Sequence, residues 1–224
     1  MNQQLNKYQD KMQKTINSLL DEFNTIRAGR ANGNTAIALR EMKNVFAQEG
    51  IEVTELNVGA KAVRGCIACN KCAELGKCVF DDAVNEAAPL LAKADGVVVA
   101  SPVYYASANG NLISFLDRLF YSSRCDLTMK VGASVVCARR GGCSATFDEL
   151  NKYFTISGMP LASSQYWNSI HGRLPGEAEQ DEEGKQTMRA LARNMAFLMK
   201  SIALGKEAYG LPEKEPRVAT HFIR

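Results

Sequence analysis

Gly96-Val-Val-Val-Ala100 is an unbroken apolar run, β-branched at its centre, with helical periodicity on either side. Short runs of this kind form strands buried on both faces of a parallel sheet. Ligands of open α/β sheets sit in the crevice beyond the strand carboxyl ends, so function belongs where this run gives way to Ser101, Pro102, Val103, Tyr104 and Tyr105. Taken alone, the same residues read equally as a strand followed by a proline turn with two surface tyrosines.

The rest of the chain alternates around that run. Asn34 and Thr35 open a helix carrying Leu39, Met42 and Phe46, which ends near Glu49-Gly50 with glycine where a left-handed C′ residue belongs. Residues 51–56 alternate as a strand, and a helix from about Asp81 to Ala94 has Asp81 and Asp82 at its positive end. Leu112, Leu116 and Leu119 mark the next helix, residues 131–137 another strand, Phe147, Leu150 and Phe154 a helix, and residues 159–166 a last strand. A final helix starts near Asp181 with Met188, Leu191, Met195, Leu198 and Ile202 on one face, and the tail after Leu204 is expected to be irregular. This order predicts an α/β fold with a doubly wound parallel sheet that lacks its first strand. Ahead of it, Leu5, Tyr8, Met12, Ile16, Leu19, Phe23 and Ile26 recur at three- and four-residue steps, the pattern of a long amphipathic helix.

A chain of 224 residues can bury one good core, which implies one domain with an appendage. The small, mixed net charge of +3 argues against a nucleic-acid surface or a polybasic membrane anchor. No segment has the length and apolarity to span a bilayer, and the polar start lacks the regions of a signal peptide, so a cytoplasmic location is expected. Seven cysteines, four of them between Cys66 and Cys78, suit a reducing compartment and a metal or redox site better than a disulfide framework.

Cys66, Cys69 and Cys72 follow a C-x2-C-x2-C spacing, with Cys78 after five more residues. Three thiolates on one tight loop and a fourth just beyond can grip adjacent corners of a [4Fe-4S] cube, whereas structural zinc more usually takes two separated CxxC knuckles. Zinc, or cysteines with no cluster, remain the alternatives at this point. His171 and His221 stand without a second histidine or a carboxylate at ligand spacing and are not expected to act as catalysts or ligands. Trp167 reads as a core residue, with a cover over a bound ligand or a subunit contact as the alternative, Cys125, Cys137 and Cys143 as small apolar fillers, and Met188, Met195 and Met199 as packing.

Taken together, Arg30-Ala-Asn-Gly-Asn-Thr35, the cysteine motif, Ser101-Pro-Val-Tyr-Tyr105 and Ala138-Arg-Arg-Gly-Gly142 resemble the flavodoxin-like NADPH-dependent FMN reductases, and within them the iron-sulfur flavoproteins, from about residue 30 to 203. The resemblance implies an FMN phosphate loop at Arg30, Asn32, Gly33, Asn34 and Thr35, where a helix N-terminus offers free N–H groups to an anion. It implies an isoalloxazine site along Ser101, Pro102, Val103, Tyr104, Tyr105 and Ser107–Gly110, with Arg139, Gly141 and Gly142 on the adjoining loop, and a cluster on Cys66, Cys69, Cys72 and Cys78. The family's Ser-Pro ahead of the phosphate arginine is here Ala28-Gly29, and its apolar first strand is replaced by the polar Asp21-Glu-Phe-Asn-Thr-Ile26.

Asp10-Lys-Met-Gln-Lys-Thr-Ile-Asn-Ser-Leu-Leu20 and Thr25-Ile-Arg-Ala-Gly-Arg-Ala-Asn32 instead resemble the opening helix of ribosome recycling factor, as though two genes met there. The expected organisation is therefore an N-terminal helix (1–29), a flavodoxin-like FMN domain (30–206) and an irregular tail (207–224). The expected activity is an FMN-dependent oxidoreductase passing electrons through FMN and a [4Fe-4S] cluster. NADPH, NADH or a redox protein would be donor, a small molecule or redox protein acceptor, and a homodimer or tetramer the assembly that relatives suggest. The rival is a non-enzymatic fusion fragment with impaired flavin binding, whose N-terminal helix is an interaction element.

Overall fold

A computed structural model describes residues 33–59, 62–216, 218–220 and 222; the amphipathic helix read over residues 3–28, together with Arg30 and Asn32, lies outside the described residues. Among the described residues the sheet is parallel and three-stranded, in the order β1 (Gly96–Pro102), β2 (Val131–Ala138), β3 (Ser169–His171). Around it run α1 (Gly33–Gln48), α2 (Cys72–Leu75), α3 (Ala83–Lys93), α4 (Gly110–Ser122), α5 (Cys143–Ile156), a 3-10 turn at Glu177–Gln180, and α6 (Glu182–Tyr209).

β2 shows why the sheet is sandwiched. Its side chains alternate, so Val131, Ala133, Val135 and Cys137 enter the layer made by α1 and α6, while Val136 enters the layer made by α3, α4 and α5. Gly132 lies on the second face, where a Cβ would stand 2.5 Å from the Phe154 ring, so the missing side chain is the space that Phe154 of α5 fills. Apolar cover on both faces is what the right-handed β-α-β crossovers of a parallel sheet require.

Local signals set the helix ends. α1 stops in a Schellman turn: Gly50, at φ +72°, donates to Ala47 O, and Ile51 donates to Phe46 O while packing against the core. Asp82 caps α3 by accepting from Val84 N, and Asp181 caps α6 by accepting from Gly184 N.

The structure corrects five expectations. Residues 51–56 form no strand, and Val53 and Leu56 are each 40% exposed. Alternation alone makes no ladder without a pairing partner, and among the described residues nothing pairs with 51–56 and no strand covers the open edge of β1. For the same reason β1 is not buried throughout: Val97 and Val98 are half-buried, in contrast to every residue of β2. The expected strand over 159–166 makes one bridge, Gly132 to Leu161, and the chain then leaves the sheet and returns as β3 opposite Val136. Trp167 lies in that excursion, 56% exposed beside Tyr166, and is not a core residue. Finally, α6 continues to Tyr209, beyond the predicted start of the tail, and Gly210 at φ +76° ends it.

If Gly132 exists to admit Phe154, then Gly132→Ala overpacks that face and lowers stability by roughly 1–3 kcal/mol. Adding Phe154→Leu should recover part of that loss. A double-mutant cycle in urea showing simple additivity would contradict this packing account.

Candidate functional site

The carboxyl end of the sheet gathers four segments. Val103 donates to Cys137 O at 2.8 Å, which carries the ladder past the end of β1, and Gly172 donates to Ala138 O at 3.0 Å just beyond β3. The loop after β1 is held from within: Ser101 Oγ, fully buried, accepts from Asn109 N at 2.9 Å and donates to Pro102 O at 2.8 Å, while Tyr104 and Ser107 pair backbone to backbone. Asn109 then caps α4, and the Glu149 carboxylate of α5 accepts from Ser107 Oγ and Ala108 N. Tyr105 at φ +50° and Ala106 at φ +59° occupy left-handed backbone, a strained conformation for residues other than glycine, and the Tyr105 ring is fully exposed.

The loop after β2 meets this one. Gly142, at φ +89°, passes so close to Ala106 and Val103 that a Cβ would stand 2.9 Å from each. Arg139 and Gly141 are exposed on the same rim. Of the residues expected to hold a flavin, the structure thus joins Ser101, Pro102, Val103, Tyr104 and Tyr105 to Gly142 and its neighbours.

The start of α1 closes the group. Thr35 is buried, and its Oγ1 has no hydrogen-bond partner among the described residues; the Cys137 thiol lies beside it. The Asn34 carboxamide is committed elsewhere, donating to Leu174 O and accepting from Ala178 N, which fastens α1 to the chain beyond β3. His171, read as isolated, is not so in space: its Nδ1 stands 3.5 Å from the Asp181 carboxylate and its Nε2 3.9 Å from Cys143 Sγ. Only the fold brings those partners together, because Asp181 is ten residues on and Cys143 belongs to a different helix.

The cysteine motif folds elsewhere, against α4. Cys66, Cys69, Cys72 and Cys78 line one pocket with Phe80, Arg118, Tyr121 and Ser122. The loop between the first three turns through Ala68 at φ +52° and Asn70 at φ +56°, and Ala68 N lies 3.4 Å from Cys66 Sγ. Asn85 of α3 pins Cys78 on both sides, accepting from its N–H and donating to its carbonyl. Arg118, 1% exposed, donates to Cys78 Sγ from Nε and Nη2 at 3.3 and 3.2 Å and forks onto Asp82 at 2.7 and 2.9 Å. Arg124 donates to Cys72 O at 3.3 Å.

Burial opposes the charge on Asp82, but the Arg118 hydrogen bonds and the Val84 N–H outweigh it and hold the carboxyl below its usual range. Spacing pointed to the cysteines; Arg118, Asn85 and Arg124 were missed. One signal was available, since Arg118 sits on the apolar stripe of α4 between Phe115, Leu116 and Leu119, where a charge needs a built partner.

With this geometry in view, the family model for NADPH-dependent FMN reductase matches residues 28–172, which contain the start of α1, the cysteine loop, the loops after β1 and β2, and β3. The chain belongs to the NADPH-dependent FMN reductase family. It is 33% identical to an iron-sulfur flavoprotein of Methanocaldococcus jannaschii over 77% of this chain and 94% of that protein. Its fold is similar to that of a flavodoxin from the domain Archaea, with a TM-score of 0.50 at 16% identity over 75% of this chain and 92% of that one. It is also similar to RosB, solved with bound 8-demethyl-8-formylriboflavin-5'-phosphate, with a TM-score of 0.57 at 15% identity over 85% and 87% of the two chains. The fold is flavodoxin-like, and membership of the FMN reductase family makes FMN-dependent oxidoreductase chemistry the function at this coarse level. Among the described residues no helix is long and apolar enough to cross a membrane.

Burial pushes the Cys137 thiol at this edge from an ordinary value near 9.0 up to about 12. An unfolded chain loses that proton earlier than the folded one, so the stability this group contributes is complete below pH 9 and is lost as the pH rises toward 12. Denaturant midpoints should therefore fall more steeply between pH 9 and 11 in the wild type than in Cys137→Ala, by up to about 1.4 kcal/mol per pH unit. Parallel slopes would contradict the burial of this thiol.

Proposed function

We propose that the chain is an iron-sulfur flavoprotein in which FMN occupies the carboxyl edge of the sheet and a [4Fe-4S] cluster is held by Cys66, Cys69, Cys72 and Cys78. The observation that carries this reading is the convergence of all four motif cysteines on one pocket. Among the described residues no three Cys, His or carboxylate groups close on a point that a single metal ion could occupy. A [4Fe-4S] cluster takes one thiolate per iron atom, and the four cysteines that line this pocket supply that number.

FMN fits the other region on the residues present. α1 presents its N-terminal turn with a buried Thr35 hydroxyl that has no hydrogen-bond partner among the described residues, and a phosphate would supply an acceptor for that hydroxyl at the positive end of the helix. The loops at Tyr104–Ala106 and Arg139–Gly142 abut and would cover a flat ring on one side with backbone and aromatic surface. Ser101, Asn109 and Glu149 hold that loop in place and spend their hydrogen bonds inside it.

When bound, FMN exchanges electrons in pairs or singly, and a cluster exchanges them singly, so the pair links a two-electron donor such as NADPH or NADH to one-electron acceptors. The chain's own contribution is placement: α1 would anchor the phosphate, the two loops would orient the ring, and the cysteine pocket is lined in part by Arg118, Tyr121 and Ser122 of α4. No side-chain acid or base is required for this traffic.

Anaerobic purification followed by assay of flavin, iron and acid-labile sulfide tests the proposal. One FMN and about four iron and four sulfide per chain, with NADPH or NADH bleaching the flavin, are the expected results. Zinc without sulfide, or a chain that binds no FMN, would overturn it. Thr35→Val, close in volume but without the hydroxyl, should weaken FMN binding roughly tenfold or more, as loss of a hydrogen bond to a charged group does, and Thr35→Ser should restore it.

A further inference from the structure

Among the described residues Arg118 is the only buried charged side chain. Burying a guanidinium is costly unless its charge is balanced and its donors are taken up. Asp82 balances it with a two-pronged bond, and carbonyls of Arg64 and Phe80 lie 3.3 and 3.4 Å from Nη1 and Nη2. Nε is left facing Cys78 Sγ, which also receives Nη2. A neutral thiol is a weak acceptor and a poor use of two guanidinium donors, whereas a metal-bound thiolate is anionic and accepts them well. The Phe80 ring, 5.1 Å from the Arg118 carbon, and Arg64 stacked 4.3 Å from the same ring close this side of the pocket.

The geometry points to Arg118, oriented by Asp82, as a positioning residue that fixes the Cys78 sulfur and raises the reduction potential of the cluster bound there. The inference rests on the proposed cluster. Reduction adds one electron and transfers no atom or proton, so the reduced form carries one more negative charge. Donors and positive charge at a ligand sulfur favour that form. Asp82 acts in the opposite sense: it aims the guanidinium and partly cancels its charge.

The experiment is a dithionite titration of the anaerobically purified full-length chain, followed by electron paramagnetic resonance, in the wild type and in Arg118→Gln, Arg118→Lys and Asp82→Asn. Arg118→Gln should lower the midpoint, with about a tenfold smaller reduced-to-oxidised ratio at a fixed potential, ~59 mV for a one-electron couple. Arg118→Lys, which keeps the charge and loses the fork, should fall between. Asp82→Asn should raise the midpoint, because asparagine caps α3 equally well but leaves the guanidinium charge uncancelled. Opposite shifts for Arg118→Gln and Asp82→Asn support the inference; unchanged midpoints, or shifts of the same sign, overturn it. If Arg118→Gln loses its iron, the sign of the Asp82→Asn shift decides. A wild-type chain with no iron and no sulfide would instead overturn the cluster reading itself, and a cluster with unmoved midpoints only the role of Arg118.

Discussion

The parallel ladder between β1 and β2, in register from Gly96 opposite Val131 to Pro102 opposite Cys137, decides where everything else can go. Parallel strands that end level deliver their following loops to the same edge, and here those loops touch at Gly142. The contact tolerates no Cβ, so the edge is shaped by backbone before any side chain is considered. α1 reaches the same edge through Thr35 beside Cys137 at the end of β2, and Asn34 fastens it to the chain after β3. A phosphate at a helix start and a flat ring along two strand-end loops are what such an edge can offer a ligand.

The cysteine pocket obeys a different constraint. Its loop is short, largely exposed and turned through left-handed residues, and on its own would have no fixed shape. Order comes from α3 and α4, through Asn85 on the backbone of Cys78 and Arg118 on its sulfur. The ion pair between buried Arg118 and half-buried Asp82 therefore joins two helices and a ligand loop at one point. Because such a pair is weak evidence for stability in itself, its value here is the geometry it enforces.

Much of this was legible in the sequence where the signal is local. The β-branched runs at 96–100 and 131–137 became β1 and β2, Gly50 became a left-handed cap, and Asp82 and Asp181 became helix caps, since each depends on neighbours a few residues away. Residues 51–56 and 159–166 failed because strand pairing is decided by a partner far along the chain. Trp167 failed with them, being carried to the surface by the excursion ahead of β3. The cysteine spacing named the ligand loop, but Arg118 and Asn85 approach it from other helices, and His171 meets Asp181 and Cys143 only after β3 has docked. Site residues drawn from separate elements leave no spacing to read.

The central claim is that one edge of the sheet, built from the start of α1 and the loops after β1 and β2, takes the flavin. Amide hydrogen exchange followed by mass spectrometry, with and without saturating FMN, tests it most directly. The account predicts slowed exchange confined to residues 33–35, 101–109 and 138–143, with the amides of the cysteine loop unmoved. Protection spread elsewhere in the chain, or exchange in those three segments indifferent to FMN, would contradict it.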